Sequence, residues 1–252
     1  MMKLGALLGP VVDPEANRFI ANQARQLEVE GFQSLWSAQA IGRGFMMTDP
    51  FICLSTAAAV TETVALGTAV IQVPLYHPLD LAHRIFSLQQ VCGKRLVVGL
   101  GAGSTAQDFD AFDRPYQSRF SDFLNLTDTL KTVLAEGRIH AKDLTPWSTL
   151  VGGPPLLLGS WGQGVSRAAE SFDGWIASAH YRGLEEILEA HRRYRRSGGK
   201  RAIVSTIQLG AGTDLVQLRD QLQCYAEAGF DEAVVMFLPG APGPGQVRAL
   251  LP

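Results

Sequence analysis

Cysteine is scarce in this chain of 252 residues, which contains only Cys53, Cys92 and Cys224. The three are far apart and follow no metal-ligand spacing, which argues against a disulfide framework and against a paired-cysteine metal site. We therefore expect reduced, buried or half-buried thiols, as in a cytosolic protein, and no bound metal.

An excess of charge of either sign is also lacking, because 22 basic residues face 24 acidic ones and the net charge is −2. Nothing electrostatic draws such a chain to nucleic acid or to an anionic membrane surface. The one basic cluster, residues 191–201, lies at the end of a helical pattern, where cations complement the helix dipole. No apolar run is long enough to span a membrane, and the first residues lack a signal-peptide cleavage site. These absences predict a cytoplasmic protein without a nucleic-acid or membrane partner.

Short apolar runs alternate with amphipathic helical stretches along the whole chain. Eight strand-then-helix units of this size predict a single (β/α)8 barrel over residues 1–252, with the loops that follow the strands on one functional face. We expect the first helix to begin at about Glu15 and the eighth to be shortened to residues 245–252. The predicted strands are residues 3–8, 32–36, 63–71, 95–101, 154–160, 174–178, 201–209 and 232–237.

Three glycines, Gly99, Gly101 and Gly103, alternate at the end of the fourth predicted strand. A dinucleotide-binding fingerprint would need a glycine at the sixth position, which is Ser104, and would open a helix early in the chain. Here the next helical pattern starts only after a polar loop, residues 104–118. The glycines better fit a barrel mouth where a flat ligand lies against the backbone, with a tight turn and no ligand as the alternative.

Four segments together resemble one known family: "EGFQSLW", "LGTAVIQVPLYHPLDLA", "GKRLVVGLGAG", and "PPLLLGS" followed by "AAESFDGW". They are similar to the luciferase-like flavin-dependent oxidoreductases, which include bacterial luciferase, alkanesulfonate monooxygenases and deazaflavin-dependent reductases and dehydrogenases. The similarity extends over nearly the whole chain. It implies the same barrel fold and a flavin-type cofactor.

The resemblance also implies where the cofactor lies. In the family, the third strand ends in a non-proline cis peptide bond under the isoalloxazine or deazaflavin ring, and the matching bond is Ala69–Val70. The loop Gly159–Gly164 matches the segment that binds the cofactor phosphate, and glycine-rich backbone at a helix N-terminus suits an anion. A simple N-cap role is the alternative for Ser160. The implied cofactor-binding residues are Trp36, Ala69, Val70, Gly101, Ala102, Gly103, Gly159, Ser160, Gly162, Gln163 and Gly164.

The acid/base positions depart from the family pattern. Gln39 and Ala40 occupy the places after the second strand where luciferase-like enzymes carry a histidine or an Asp–His pair, and neither side chain moves a proton near neutral pH. Gly101 replaces the reactive cysteine of luciferase. We assign Gln39 and His180 as the candidate catalytic residues, since His180 ends the sixth predicted strand and substitutes best for the missing acid. A capping or loop role is the alternative for this histidine.

The resemblance implies redox chemistry on a small organic substrate, by one of two routes. With FMN it implies monooxygenation by reduced flavin from a partner reductase, and with F420 it implies hydride transfer. The segment from Trp36 to Gln39 slightly favours F420. Two alternatives stay open, a non-catalytic flavin-binding barrel and an unrelated phosphate-binding barrel enzyme. Relatives often pair through the helices beside the second and third strands, which makes a homodimer an expectation for this chain.

Overall fold

A computed structural model describes residues 1–9 and 18–251 of the chain. Its main feature is a closed barrel of parallel strands in which each strand pairs with the next in sequence and the last pairs with the first. This arrangement confirms the predicted (β/α)8 architecture. The strands are β1 Lys3–Leu7, β2 Ser34–Ser37, β3 Ala65–Gln72, β4 Leu96–Gly101, β5 Leu156–Gly159, β6 Gly174–Ser178, β7 Ala202–Leu209 and β8 Glu232–Phe237.

Helices follow the strands around the outside of the barrel. They are α1 Phe19–Val29, α2 Pro50–Ala58, α3 Pro78–Cys92, α4 Arg119–Glu136, α5 Gly164–Ser171, α6 Leu184–Arg196, α7 Leu215–Ala228 and α8 Pro244–Arg248. The expected helix start at Glu15 lies outside the described residues. The prediction of an uninterrupted polar loop over residues 104–118 is wrong, because a short helix, Ala106–Asp110, forms where Asp108 and Phe109 turn inward and become buried.

Local capping explains where several helices begin. The Asp49 carboxylate accepts hydrogen bonds from the backbone N–H groups of Phe51 and Ile52, and Pro50 occupies the first helical position of α2. At α3, His77 Nδ1 accepts from the Leu79 N–H at 3.2 Å. These two proline-started helices follow β2 and β3, and their first residues fix where the chain leaves the C-terminal end of the barrel after each strand.

The apolar core has two parts. The larger part packs the outer faces of the strands against the helices, and a smaller part fills the inside of the barrel. The three cysteines are free, and burial raises the pKa of Cys53 and of Cys92 to about 11, as expected for thiols that serve packing. None of the helices in the described ranges has the length and apolar character needed to cross a bilayer. The buried residues inside the barrel are Leu7, Trp36, Val97, Leu157, Ile176, Ile203 and Val234.

Candidate active site at the C-terminal end of the barrel

The end of β3 is irregular, and this irregularity shapes the barrel mouth. The peptide bond between Ala69 and Val70 is cis, as the family resemblance implied, and the pairing of β3 with β4 shifts register between Thr68 and Ile71. The Thr68 hydroxyl donates to the Gly99 carbonyl and accepts from the Gly99 N–H, both at 2.9 Å. These two bonds satisfy backbone groups that the shifted ladder would otherwise leave unpaired.

The Val70 side chain occupies the space that glycines leave free on three sides. A Cβ atom built on Gly101 would lie 2.6 Å from Val70 Cγ2, and one built on Gly159 would lie 2.6 Å from Val70 Cγ1. At Gly99 the corresponding distance to Val70 Cγ1 is 3.2 Å. The missing side chain of Gly101 therefore makes room for Val70, and the contact of Gly101 with the cofactor stays a prediction. Val70 itself is half-buried near the end of β3.

Gly103 is required for a different reason. Its φ angle of +85° lies in the left-handed region that side chains disfavour, and an added Cβ would lie 2.6 Å from Gln72 Oε1 and from Phe109 Cε2. Glycine at this position lets the loop after β4 close over the end of β3. It brings the short helix Ala106–Asp110 next to Gln72.

A chain of buried polar side chains lines this end of the barrel. Gln39 Oε1 accepts from the Gln72 N–H at 2.8 Å, and Gln39 Nε2 donates to the Tyr76 hydroxyl at 2.7 Å. Gln72 Nε2 in turn donates to Asp108 Oδ2 at 2.5 Å. Burial raises the pKa of Tyr76 to about 12, so its phenol stays neutral at physiological pH. Both ends of the Gln39 amide are thus engaged inside the protein, which gives this residue a positioning role in the described structure.

The buried charge of this network belongs to Asp108, whose side chain is fully buried. Arg43 donates to its two oxygens through Nε at 2.7 Å and through Nη2 at 2.5 Å, and the Ile41 N–H adds a third bond at 3.2 Å. The hydrogen bond to Asp108 is the main reason why the pKa of Arg43 is raised. Sequence reasoning missed Asp108, because an aspartate in a polar segment looks solvated until the partner from the β2 loop is known.

The glycine-rich loop Gly159–Gly164 joins β5 to α5 beside this network. The N-cap of α5 is Gln163, without a side-chain capping bond, so the structure does not support the N-cap alternative for Ser160. Ser160 Oγ is buried and has no hydrogen-bond partner among the described residues. A Cβ on Gly164 would lie 2.8 Å from Ser160 Cβ, and Arg193 Nη2 donates to the Gly162 carbonyl at 3.0 Å. The loop therefore has a free buried hydroxyl and a basic side chain at a helix N-terminus.

The remaining predicted site residues divide between the mouth and the core. The prediction that Trp36 contacts the cofactor needs correction. Its side chain is 1% exposed, and its indole N–H donates to Glu232 Oε1 at 2.6 Å, at the opposite end of the barrel. His180 lies after β6 and is exposed, with its ring centroid 4.5 Å from that of Tyr181. Ala102 is half-buried in the loop after β4.

This chain is similar in sequence to a known protein family and to individual curated proteins. The family model of luciferase-like monooxygenases matches residues 2–234. The chain is 34% identical over 86 residues to a 4-hydroxyprotoasukamycin monooxygenase of Streptomyces nodosus subsp. asukaensis, a match that covers 34% of this chain and 23% of that protein. It covers 26% and 61% of two further curated relatives, so it spans less than two thirds of these relatives' length.

Two solved structures share the fold. An F420-dependent secondary alcohol dehydrogenase in complex with an F420-acetone adduct has a TM-score of 0.78 at 14% identity, covering 100% of this chain and 98% of that chain. The oxygenating constituent of 3,6-diketocamphane monooxygenase from Pseudomonas putida, in complex with FMN, has a TM-score of 0.68 at 17% identity, covering 92% and 80%. At these identities the likeness shows the barrel alone. Because the family model matches most of its length, the chain belongs to the luciferase-like monooxygenase family.

Proposed function

We propose that this chain is an oxidoreductase that holds FMN or coenzyme F420 at the C-terminal end of its barrel and acts on a small organic substrate. The observation that carries the proposal is the buried Ser160 hydroxyl, which lacks a partner inside the glycine-rich loop before α5. Leaving a buried hydroxyl unpaired costs about 1–3 kcal/mol. A phosphate oxygen at this loop would satisfy it, assisted by the helix dipole of α5 and by the charge of Arg193.

The platform for the ring is the second part of the proposal. Val70 is half-buried and fixed on three sides by glycine positions of β4 and β5, so it offers a firm apolar surface between the phosphate loop and the polar network. The bound cofactor would supply hydride or oxygen chemistry, which the side chains themselves lack. The protein's own work is to orient the ring and to exclude water from it.

The polar network would hold the substrate side of the ring in place. Gln39 is a neutral amide held at both ends by hydrogen bonds, Gln72 is a neutral amide whose Nε2 donates to Asp108, and Asp108 is neutralised by Arg43. Such a mouth carries little net charge and suits a neutral substrate group. His180, exposed at its edge, stays the proposed proton donor.

The choice between F420 and FMN is the finer part of the proposal, and we favour F420 slightly on the segment from Trp36 to Gln39. One structural relative binds F420 and another binds FMN, so the relatives support both. If the cofactor is FMN, a separate reductase would supply it in reduced form. If it is F420, the substrate would exchange a hydride with it directly.

Fluorescence titrations of the purified protein with FMN, riboflavin and F420 test the proposal. We expect FMN or F420 to bind and S160A to weaken that binding by about 10- to 100-fold, the value of a hydrogen bond to a charged group. Riboflavin, which lacks the phosphate, should bind equally to the wild type and to S160A. The control is S87A, which removes an exposed hydroxyl from α3 and should change nothing. Failure of FMN and F420 to bind the wild type overturns the proposed function.

A non-catalytic flavin-binding barrel is the second candidate. It is favoured by the engagement of both ends of the Gln39 amide and by the exposure of His180, since neither residue sits as a shielded proton donor. Oxidation of the bound, reduced cofactor in the presence of a substrate panel distinguishes the two. Substrate-dependent turnover that falls in H180Q supports the enzyme, and bound cofactor without any turnover supports the binding protein.

A further inference from the structure

A second concave region lies at the N-terminal end of the barrel, opposite the proposed cofactor site. Its volume is about 1140 Å³, ample for a small molecule. It opens over the first residues of β1, β3, β4 and β8 and over Arg201 just before β7, and α7 and the 250–251 segment form its sides. Nothing in the proposed oxidoreductase function uses this cleft.

The cleft has a marked excess of positive charge. Five of its lining residues are basic and two are acidic. One of the acids, Asp231, pairs with Arg195 at 3.2 Å, and one of the basic residues, Arg219, pairs with Asp220 at 2.9 Å; both partners lie outside the cleft, which leaves four basic residues against Glu232. The lining therefore favours an anionic ligand. The five basic residues are Lys3, Lys94, Arg95, Arg201 and Arg219.

The floor of the cleft contains a deeply buried carboxylate. The Glu232 side chain is 2% exposed, and its Oε1 accepts from the Ser34 hydroxyl and, at 2.6 Å, from Trp36 Nε1. Its Oε2 lies 3.7 Å from Arg201 Nη2, which is too long for a hydrogen bond. One oxygen is therefore fixed within the protein, and the other is an acceptor that a ligand hydroxyl could use.

The remaining wall of the cleft is apolar. Leu96, Pro155, Phe230 and Leu250 line it together with the methionines at the start of the chain. A ligand that matches the whole lining needs three features: an anionic group for the cations, a hydroxyl for Glu232, and a flat apolar body. A nucleoside phosphate has all three, and carboxylates commonly accept ribose hydroxyls.

We propose that this cleft is a nucleoside phosphate site, in which the phosphates lie against Lys3, Lys94 and Arg219 and a ribose hydroxyl donates to Glu232 Oε2. The base would pack on the apolar wall at Pro155 and Leu250. The site is separate from the flavin-type site and does not depend on it.

Calorimetric titration of the full chain with ADP, adenosine and pyrophosphate tests the proposal. We expect ADP to bind about tenfold or more tightly than either fragment, because each fragment loses one part of the recognition. K3E/K94E should weaken ADP by about tenfold or more. The control, R25E/K142E, changes the net charge equally at exposed positions outside the cleft and should leave ADP binding unchanged.

The Glu232→Gln variant separates the ribose contact from simple charge attraction. We expect E232Q to weaken ADP several-fold and to leave pyrophosphate at its wild-type affinity or tighter, with circular dichroism to confirm the fold. Pyrophosphate binding as tight as ADP overturns the nucleoside assignment. The proposal also fails if ADP does not bind, or if R25E/K142E weakens ADP as much as K3E/K94E does.

Discussion

Asp108 at the C-terminal end of the barrel and Glu232 at the N-terminal end are both buried carboxylates, but their surroundings differ. Asp108 accepts two hydrogen bonds from Arg43, at 2.5 and 2.7 Å, whereas Glu232 lies 3.7 Å from its nearest cation, Arg201. Burial raises the pKa of Glu232. The buried carboxylate at the C-terminal end is therefore neutralised by a hydrogen-bonded arginine, whereas the buried carboxylate at the N-terminal end faces an arginine beyond hydrogen-bond distance.

The largest expected effect on stability follows from breaking the Arg43–Asp108 ion pair. In D108A, Arg43, Gln72 and the Ile41 N–H all lose their acceptor in a buried setting. We expect the free energy of unfolding to fall by about 3 kcal/mol, the lower end for a broken buried pair, because the Arg43 side chain is 22% exposed. Urea denaturation measures the change.

The matched control is an exposed aspartate of the same kind. Arg219 and Asp220 form a contact at 2.9 Å with side chains 52% and 61% exposed, so D220A should cost less than about 0.5 kcal/mol. Equal losses in D108A and D220A would contradict the view that the C-terminal network is an organised unit.

The second prediction concerns acid sensitivity near the N-terminal end. Burial, and then the nearby Arg195, lowers the pKa of His191 to about 4 from 6.5. Since the unfolded chain binds the proton first, stability should fall as the pH drops from about 6.5 to 4, by roughly 2–3 kcal/mol. H191Q keeps an acceptor for Arg195 Nε and should flatten this slope in a plot of Tm against pH.

The control for this titration is the exposed His83 on α3. H83Q should keep the wild-type dependence of Tm on pH. A wild-type Tm that does not fall between pH 6.5 and 4 would show that His191 is not held neutral by its packing against Phe230, whose ring centroid lies 4.2 Å away.

The barrel itself was predictable because its pattern is local. Each buried parallel strand is a short apolar run with a glycine, proline or polar boundary, so all eight strands could be placed from the sequence. The partners of Asp108 were not predictable in this way. Arg43 is 65 positions away along the chain, and only the closed barrel brings the loops after β2 and β4 together.

The direction of the Trp36 side chain could not be predicted from the sequence. The sequence places it near the end of β2, close to the functional face, but its indole extends toward the first residues of β2 and β8. A Cβ on Gly67 would lie 2.4 Å from this indole, so the glycine of the neighbouring strand makes room for it. Such a steric match between strands depends on register, which composition and periodicity do not give.

The third prediction tests whether glycine and Val70 form one fitted surface at the C-terminal end. G101A should lower the free energy of unfolding by about 1–3 kcal/mol, because its new methyl group would lie 2.6 Å from Val70 Cγ2. Adding V70A removes that atom and should recover most of the loss. G210A is the control, since a Cβ there meets no heavy atom within 4 Å. Additive losses in G101A and V70A would contradict the fitted surface.

The smallest expected effect on stability comes from Glu232. E232Q keeps an oxygen acceptor for Ser34 and Trp36 but cannot become charged. Its free energy of unfolding should therefore be close to that of the wild type at pH 4. The raised pKa of Glu232 means that the folded state holds its proton more tightly than the unfolded chain. Wild-type stability should therefore decrease as the pH rises above about 4.5, and E232Q should be the more stable protein at pH 8.

This outcome would sharpen the contrast between the two ends of the barrel. Thermal unfolding of wild type and E232Q from pH 4 to pH 8 measures it, and a constant difference across that range would contradict it. If E232Q gains stability at pH 8 and loses affinity for ADP, Glu232 weakens the fold and strengthens binding. Binding of a ligand in the N-terminal cleft would then explain why the chain has a buried carboxylate that costs stability at neutral pH.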